Sequence, residues 1–131
     1  MKVAFATDNG ETLINNHFGE AKYFEIYEIT ESESKYIKRI TNTVEKEDEH
    51  KHANPEKAKG IAGLFKHEDI KVLVSQAFGS NIVKMRTKFV CVLLNDISIS
   101  ESIIKIQQNL FRVESEWIKG ENRNHLNFKE V

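Results

Sequence analysis

The stretch Asn15-Asn16-His17-Phe18-Gly19-Glu20-Ala21-Lys22-Tyr23-Phe24-Glu25-Ile26-Tyr27 decides how this chain is read. A polar turn joins one histidine, one aromatic and one glycine, and a strand follows at once. Side chains alternate along a strand, so Phe24 and Ile26 face one side and Tyr23, Tyr27 and Ile29 the other. A turn held by such an element is rigid, which suits a site. His17 can ligate a metal through a neutral ring nitrogen or titrate near neutral pH. Gly19 is expected to use a backbone angle closed to other residues. The plain structural alternative is a loop histidine that makes only a hydrogen bond.

Outward from this turn, Lys2–Thr7 is an apolar run and reads as a buried strand, with Asp8-Asn9-Gly10 as a turn after it. After the strand at 22–30, the polar Glu31-Ser32-Glu33-Ser34 turns the chain into a third strand, Lys35 to Thr43. Its Lys38 and Arg39 suit an exposed edge, where charge discourages pairing with another molecule. Short connections make these three strands an antiparallel meander. Residues 44–53 are highly charged, lack periodicity and read as a mobile loop.

A different pattern follows. Asn54 is a good N-cap and Pro55 a good first helical residue, and Ala58, Ile61, Leu64 and Phe65 then share one face. Gly60 and Gly63 weaken this helix by ~1 kcal/mol each against alanine, which points to close packing on the sheet. Ile70–Ser75 is a buried strand, Gln76-Ala77-Phe78-Gly79 turns it into a short helix from Ser80 to about Arg86, and Lys88–Leu94 is a further apolar run. Strands alternating with helices imply parallel pairing with both faces covered. Ser98 and Glu101 form a capping box, after which Ile99, Ile103, Ile106 and Leu110 recur at helical spacing. Beyond this, Phe111, Val113 and Trp117 alternate with charged residues and suggest an extra strand, with helical continuation as the alternative. Gly120 to Asn127 is polar and is expected to be loose. The sum is an α/β chain: a three-layer α/β/α sandwich around a five-stranded mixed sheet.

Composition narrows the function. The 131 residues carry a net charge of −1, which gives no general attraction to nucleic acid or to an anionic membrane. No apolar run approaches the ~20 residues that a membrane helix needs, and no signal peptide is visible. Cys91 is the one cysteine, so an intrachain disulfide is impossible and a cytoplasmic protein is the simplest reading. There is no Cys-x-x-Cys, P-loop, Gly-x-Gly-x-x-Gly or Gly-x-Ser-x-Gly.

Asn16-His17-Phe18-Gly19, followed by Ala21, Phe24, Ile26 and Tyr27, resembles the signature of the dinitrogenase iron–molybdenum cofactor biosynthesis family, which includes NifX-like proteins and the C-terminal domain of NifB. The resemblance runs from Met1 to about Leu110, leaving 111–131 as a C-terminal extension. It implies a ribonuclease-H-like motif whose second strand is antiparallel to the rest. It also implies a binding or carrier protein for an iron–sulfur or iron–molybdenum-type cluster or its precursor, working with an acceptor or scaffold protein.

Ligands favour the carboxyl ends of parallel strands in such a sheet. Three pieces are expected to converge there: the loop with Asp8 and Asn9, the Gln76–Gly79 turn, and Asn95-Asp96. The His17 turn should lie along the same edge. The expected cluster-binding residues are Asn16, His17, Phe18, Gly19, Gln76, Gly79 and Ser80, the last two opening a helix whose free amides favour an anion. His17 is the leading metal ligand. His50 and His52, an alternating pair among Glu47, Asp48 and Glu49, are further candidates, with a solvated charged loop as the alternative. Cys91 reads as a buried apolar residue, His67 as a helix-end cation and His125 as unassigned. Two other functions compete: a metal-dependent phosphoryl-transfer enzyme using Asp8 and Asp96, and a cofactor-free interaction module using the Trp117 tail.

Overall fold

A computed structural model describes residues 1–44, 55–95 and 97–129, with the backbone alone for 55–59. Six strands form one mixed sheet: β1 (Lys2–Thr7), β2 (Tyr23–Ile29), β3 (Ser34–Thr41), β4 (Ile70–Ser75), β5 (Val90–Leu93) and β6 (Leu126–Asn127). Their order is β3-β2-β1-β4-β5-β6. β2 runs antiparallel to both of its neighbours, whereas β1, β4, β5 and β6 pair in parallel. The expected meander and both parallel additions are present. The sheet has six strands rather than five, because Leu126 and Asn127 pair with Val92 and Leu93.

Alternation builds two cores from one sheet. Val3 and Phe5 of β1 face one side with Val72, Val74, Val90 and Val92. There they meet helix α3 (Ile99–Gln108) through Ile99, Ile103 and Ile106, and helix α4 (Leu110–Ile118) through Val113. Ala4 and Ala6 face the other side with Phe24, Ile26, Leu73 and Cys91, against helix α1 (Pro55–Leu64) and the short helix α2 (Ile82–Met85). The small β1 alanines leave room for the rings of Phe18, Phe24 and Phe65. β3 is exposed along nearly its whole length, as its charges suggest.

The C-terminal segment differs from its sequence reading. Residues 110–118 form a helix, because Val113, Glu116 and Trp117 fall on one helical side and that side turns inward. The tail is anchored by Phe128, which is fully buried, and by Arg123. The Arg123 guanidinium donates to the carbonyls of Trp117 and Thr87 and stacks on the Trp117 ring at 4.1 Å. His67 lies beyond α1 in the left-handed region at φ 68°, so it serves to turn the chain towards β4. Gly60 packs closely, its ideal Cβ falling 3.0 Å from Val44, but Gly63 faces open space. The charged 44–53 segment, except Val44, the Asn54 cap, His50, His52 and Asp96 lie outside the described residues.

Candidate functional site

The carboxyl ends of β1, β4 and β5 are stitched into a single rim. The Thr7 hydroxyl donates to the Thr12 carbonyl at 2.6 Å, and Asn9 Oδ1 accepts the amides of Glu11 and Thr12. This loop then bonds to the segment after β5, with Leu13 N donating to Ile97 O and Ile99 N to Glu11 O. It also bonds to the segment after β4, with Gln76 Nε2 donating to the Leu13 carbonyl at 3.4 Å. Two of the expected pieces, the loop after β1 and the Gln76 turn, meet here beside Ile97, whereas the Asn95 side chain donates to the Lys129 carbonyl at 2.6 Å and Asp96 lies outside the described residues.

The His17 turn is docked onto the same rim by its backbone. His17 forms an isolated parallel bridge with Ala77, and Phe18 N donates to Ala77 O at 2.8 Å. Phe18–Glu20 makes one 3-10 turn, closed by Glu20 N donating to His17 O and Ala21 N to Phe18 O. Asn16 Oδ1 accepts the His17 amide at 2.7 Å. The fully buried Phe18 ring drives the docking. It stacks on Phe24 at 4.8 Å and on Phe78 at 5.3 Å and meets Phe65 edge-on at 6.2 Å. Each such ring pair adds ~0.5–1.5 kcal/mol beyond the area that it buries. Burying one residue therefore fixes the next: the His17 side chain stays exposed while its backbone is held.

Gly79 is required by that histidine. Its φ is +67°, a conformation that favours glycine, and an ideal Cβ there would lie 2.6 Å from His17 Nδ1 and 2.7 Å from Cε1. The His17 ring thus occupies the space that a side chain at 79 would need. Two residues drawn from separate stretches of sequence prove to be direct neighbours. Gly19 differs from expectation. Positive φ among the described glycines occurs at Gly10, Gly79 and Gly120, so Gly19 uses no such freedom.

The remaining candidates sort by geometry. Gln76 ties two loops together. Gly79–Asn81 is a 3-10 turn and α2 after it has four residues, too short to sum a substantial dipole, so the anion-binding argument for Gly79 and Ser80 rests on turn amides alone. Ser80 is exposed beside Gly79. Asp8 Oδ1 accepts the Lys22 amide at 2.9 Å, which ties it to the start of β2. Burial pushes the Cys91 thiol far above its usual range, leaving it inert as a ligand. His125 is exposed on the C-terminal segment. Among the described residues, no group of three or more His, Cys, Asp or Glu side chains could hold a metal ion.

Sequence reasoning missed Asn42. Its Nδ2 donates to the carbonyls of Gly19 at 2.9 Å and Ala21 at 2.8 Å, while its amide donates to Lys22 O. One side chain thus closes the His-Phe-Gly turn from the far end of β3. The available signal was modest: an asparagine just past a strand whose partner begins at that turn.

A profile of the family described as dinitrogenase iron-molybdenum cofactor matches residues 1–109. The chain belongs to this family. The His17 turn, Asn42 and the Gly79 turn all lie inside the matched region, whereas all of α4 and β6 lie outside it. Among solved structures, the chain is similar to a Methanocaldococcus jannaschii protein described as a candidate dinitrogenase and determined at 1.70 Å. The TM-score is 0.57 at 23% identity, covering 83% of this chain and 89% of that one, and this likeness concerns the fold. No curated protein matches the chain. Among the described residues, no helix is long and apolar enough to cross a membrane.

Proposed function

We propose that this family member is a non-enzymatic binding or carrier protein for an iron–sulfur or iron–molybdenum-type cluster, or for a precursor of one. The observation that carries the reading is the presentation of His17. An exposed imidazole projects from a turn whose backbone is pinned by Phe18, Ala77 and Asn42. Such a side chain can offer a ring nitrogen to an incoming metal without reorganising the fold.

The donor chemistry fits cargo better than a resident metal. One exposed imidazole with no accessible thiol among the described residues makes a weak, exchangeable contact, as transfer to an acceptor or scaffold protein requires. Asn16, Phe18, Gly19, Gln76, Gly79 and Ser80 then shape and border the site, and His50 and His52 remain proposed additional ligands. The strand order β3-β2-β1-β4-β5, with β2 reversed, supports a ribonuclease-H-like motif in residues 1–110, with 111–131 as the extension. A lone cysteine fits a cytoplasmic carrier, and a net charge of −1 gives it no general attraction to nucleic acid or to an anionic membrane. No observation among the described residues favours the phosphoryl-transfer alternative: Asp8 engages the Lys22 amide, and Asp96 lies outside them.

The test is metal and sulfide analysis of protein purified without oxygen, followed by anaerobic addition of an iron–sulfur precursor. The carrier reading expects a coloured, stoichiometric complex. A chain that is empty as isolated and refuses reconstitution would instead indicate an interaction module, and metal-stimulated phosphodiester turnover would indicate an enzyme.

A further inference from the structure

Helix α4 carries a stripe that the fold leaves uncovered. Phe111, Glu114, Ser115 and Ile118 are all exposed and recur at i, i+3, i+4 and i+7, so they share one side of the helix. Phe111 and Ile118 are each 81% exposed, while Val113 and Glu116 are buried on the opposite side. At the N-terminal end of the stripe lies a cavity of about 280 Å³, walled by Glu31, Gln107, Gln108, Leu110, Phe111 and Glu114. Three of these walls, Leu110, Phe111 and Glu114, come from α4, and Gln107 and Gln108 come from the end of α3 across the break at Asn109. Such a recess can receive a single side chain from a helix packed against it, as a hole receives a knob.

The same stripe supplies the knob. Ile118 follows Phe111 by seven residues, about two turns, and projects into solvent. We propose that a second copy of this chain docks antiparallel on α4. A two-fold axis passing between Glu114 and Ser115 seats Ile118 of each copy in the cavity of the other. Such an interface is self-complementary: residue i meets residue j, and j meets i. Glu114 then faces Ser115 of the second copy, whose hydroxyl can donate to the carboxylate.

Charge favours this occupant over an unrelated one. The cavity end is acidic through Glu31 and Glu114, and no basic side chain is among its walls. The knob end carries Lys119, whose side chain is 53% exposed although it lies 3.0 Å from Glu116. Antiparallel pairing brings each Lys119 to the acidic end of the other copy. Arg112 is not among the cavity walls, and its guanidinium lies over the Phe128 ring at 4.8 Å. The stripe is remote from the His17 rim. Gln107 reaches the Thr30 carbonyl in the β2–β3 turn, whereas Thr12 bridges Ser98 at the start of α3. Pairing therefore leaves both rims open and does not depend on the cluster reading.

The area is modest. Helix α4 has nine residues, about 13 Å of helix, so the pair belongs to the small, exchanging class rather than to the obligate one. Sedimentation equilibrium of the full chain over a wide concentration range tests this. The expected result is a monomer–dimer equilibrium that Ile118→Glu or Phe111→Glu shifts at least tenfold towards monomer. Circular dichroism and the thermal midpoint should stay unchanged, because both side chains are already exposed. Glu114→Lys alone should weaken the dimer, and Glu114→Lys with Lys119→Glu should restore part of it. A parent chain that is monomeric throughout would overturn the proposal, as would a dimer that survives both Ile118→Glu and Phe111→Glu, which would point to another surface such as the β3 edge.

Discussion

The His17 turn and the C-terminal segment solve the same problem in opposite ways. Each fastens an irregular stretch to the sheet with one buried phenylalanine, Phe18 in the first and Phe128 in the second, both fully enclosed. What each then shows to solvent differs. The turn presents a polar ring, His17, held beside the Gly79 backbone. The C-terminal segment presents Phe111 and Ile118, apolar side chains with no cover in the single chain. A rigid polar display suits a small ligand that must be met and released, and an apolar stripe suits another protein surface.

The sharpest way to break this comparison is to remove the anchor of the turn. Phe18→Ala deletes a ring that stacks on two others and should cost ~3–5 kcal/mol, read as a lower denaturant midpoint. A loss below ~1 kcal/mol would mean that Phe18 does not hold the turn. Gly79→Val comes next. Its Cβ collides with the His17 ring, and its positive φ adds ~1–3 kcal/mol of strain. Cluster uptake should be lost in protein that circular dichroism shows to be folded. Retained uptake would move the site away from the His17–Gly79 contact.

Smaller changes refine the picture. Asn42→Ala leaves the Gly19 and Ala21 carbonyls without their donor and should cost ~1–2 kcal/mol, with a parallel loss of cluster affinity because the turn loosens. If stability falls but affinity does not, Asn42 is structural only. Gly63→Ala is the control among glycines. An added methyl meets nothing within 4 Å, so the variant should gain up to ~1 kcal/mol in thermal unfolding and bind cargo as the parent does.

These contrasts show what the sequence made legible. Period-2 alternation in β2 correctly divided Phe24 and Ile26 from Tyr27 and Ile29, and the apolar run Lys2–Thr7 marked β1 as buried on both faces, where Val3 and Phe5 join one core and Ala4 and Ala6 the other. The rim was legible because strand direction alone brings the loops after β1, β4 and β5 to one edge. The contact of Gly79 with His17 was not, since it depends on side-chain placement across a long loop closure. Residues 111–117 misled because alternation over so few positions also satisfies a helix whose inward side carries Val113, Glu116 and Trp117. β6 escaped notice because two residues carry almost no periodic signal, and pairing with β5 together with burial of Phe128 decides their state. Asn42 was hidden for a related reason: its role lies in a side-chain bond spanning 23 residues.

The central claim is that His17 is a ligand presented by a turn that does not need it for stability. The most direct measurement is iron bound per chain after anaerobic reconstitution, compared for the parent and His17→Ala, with thermal unfolding of both. The account predicts that iron uptake falls sharply while stability changes by no more than ~0.5 kcal/mol, since the side chain is exposed. Unchanged iron uptake together with a large fall in the unfolding midpoint would contradict it and make His17 a structural residue.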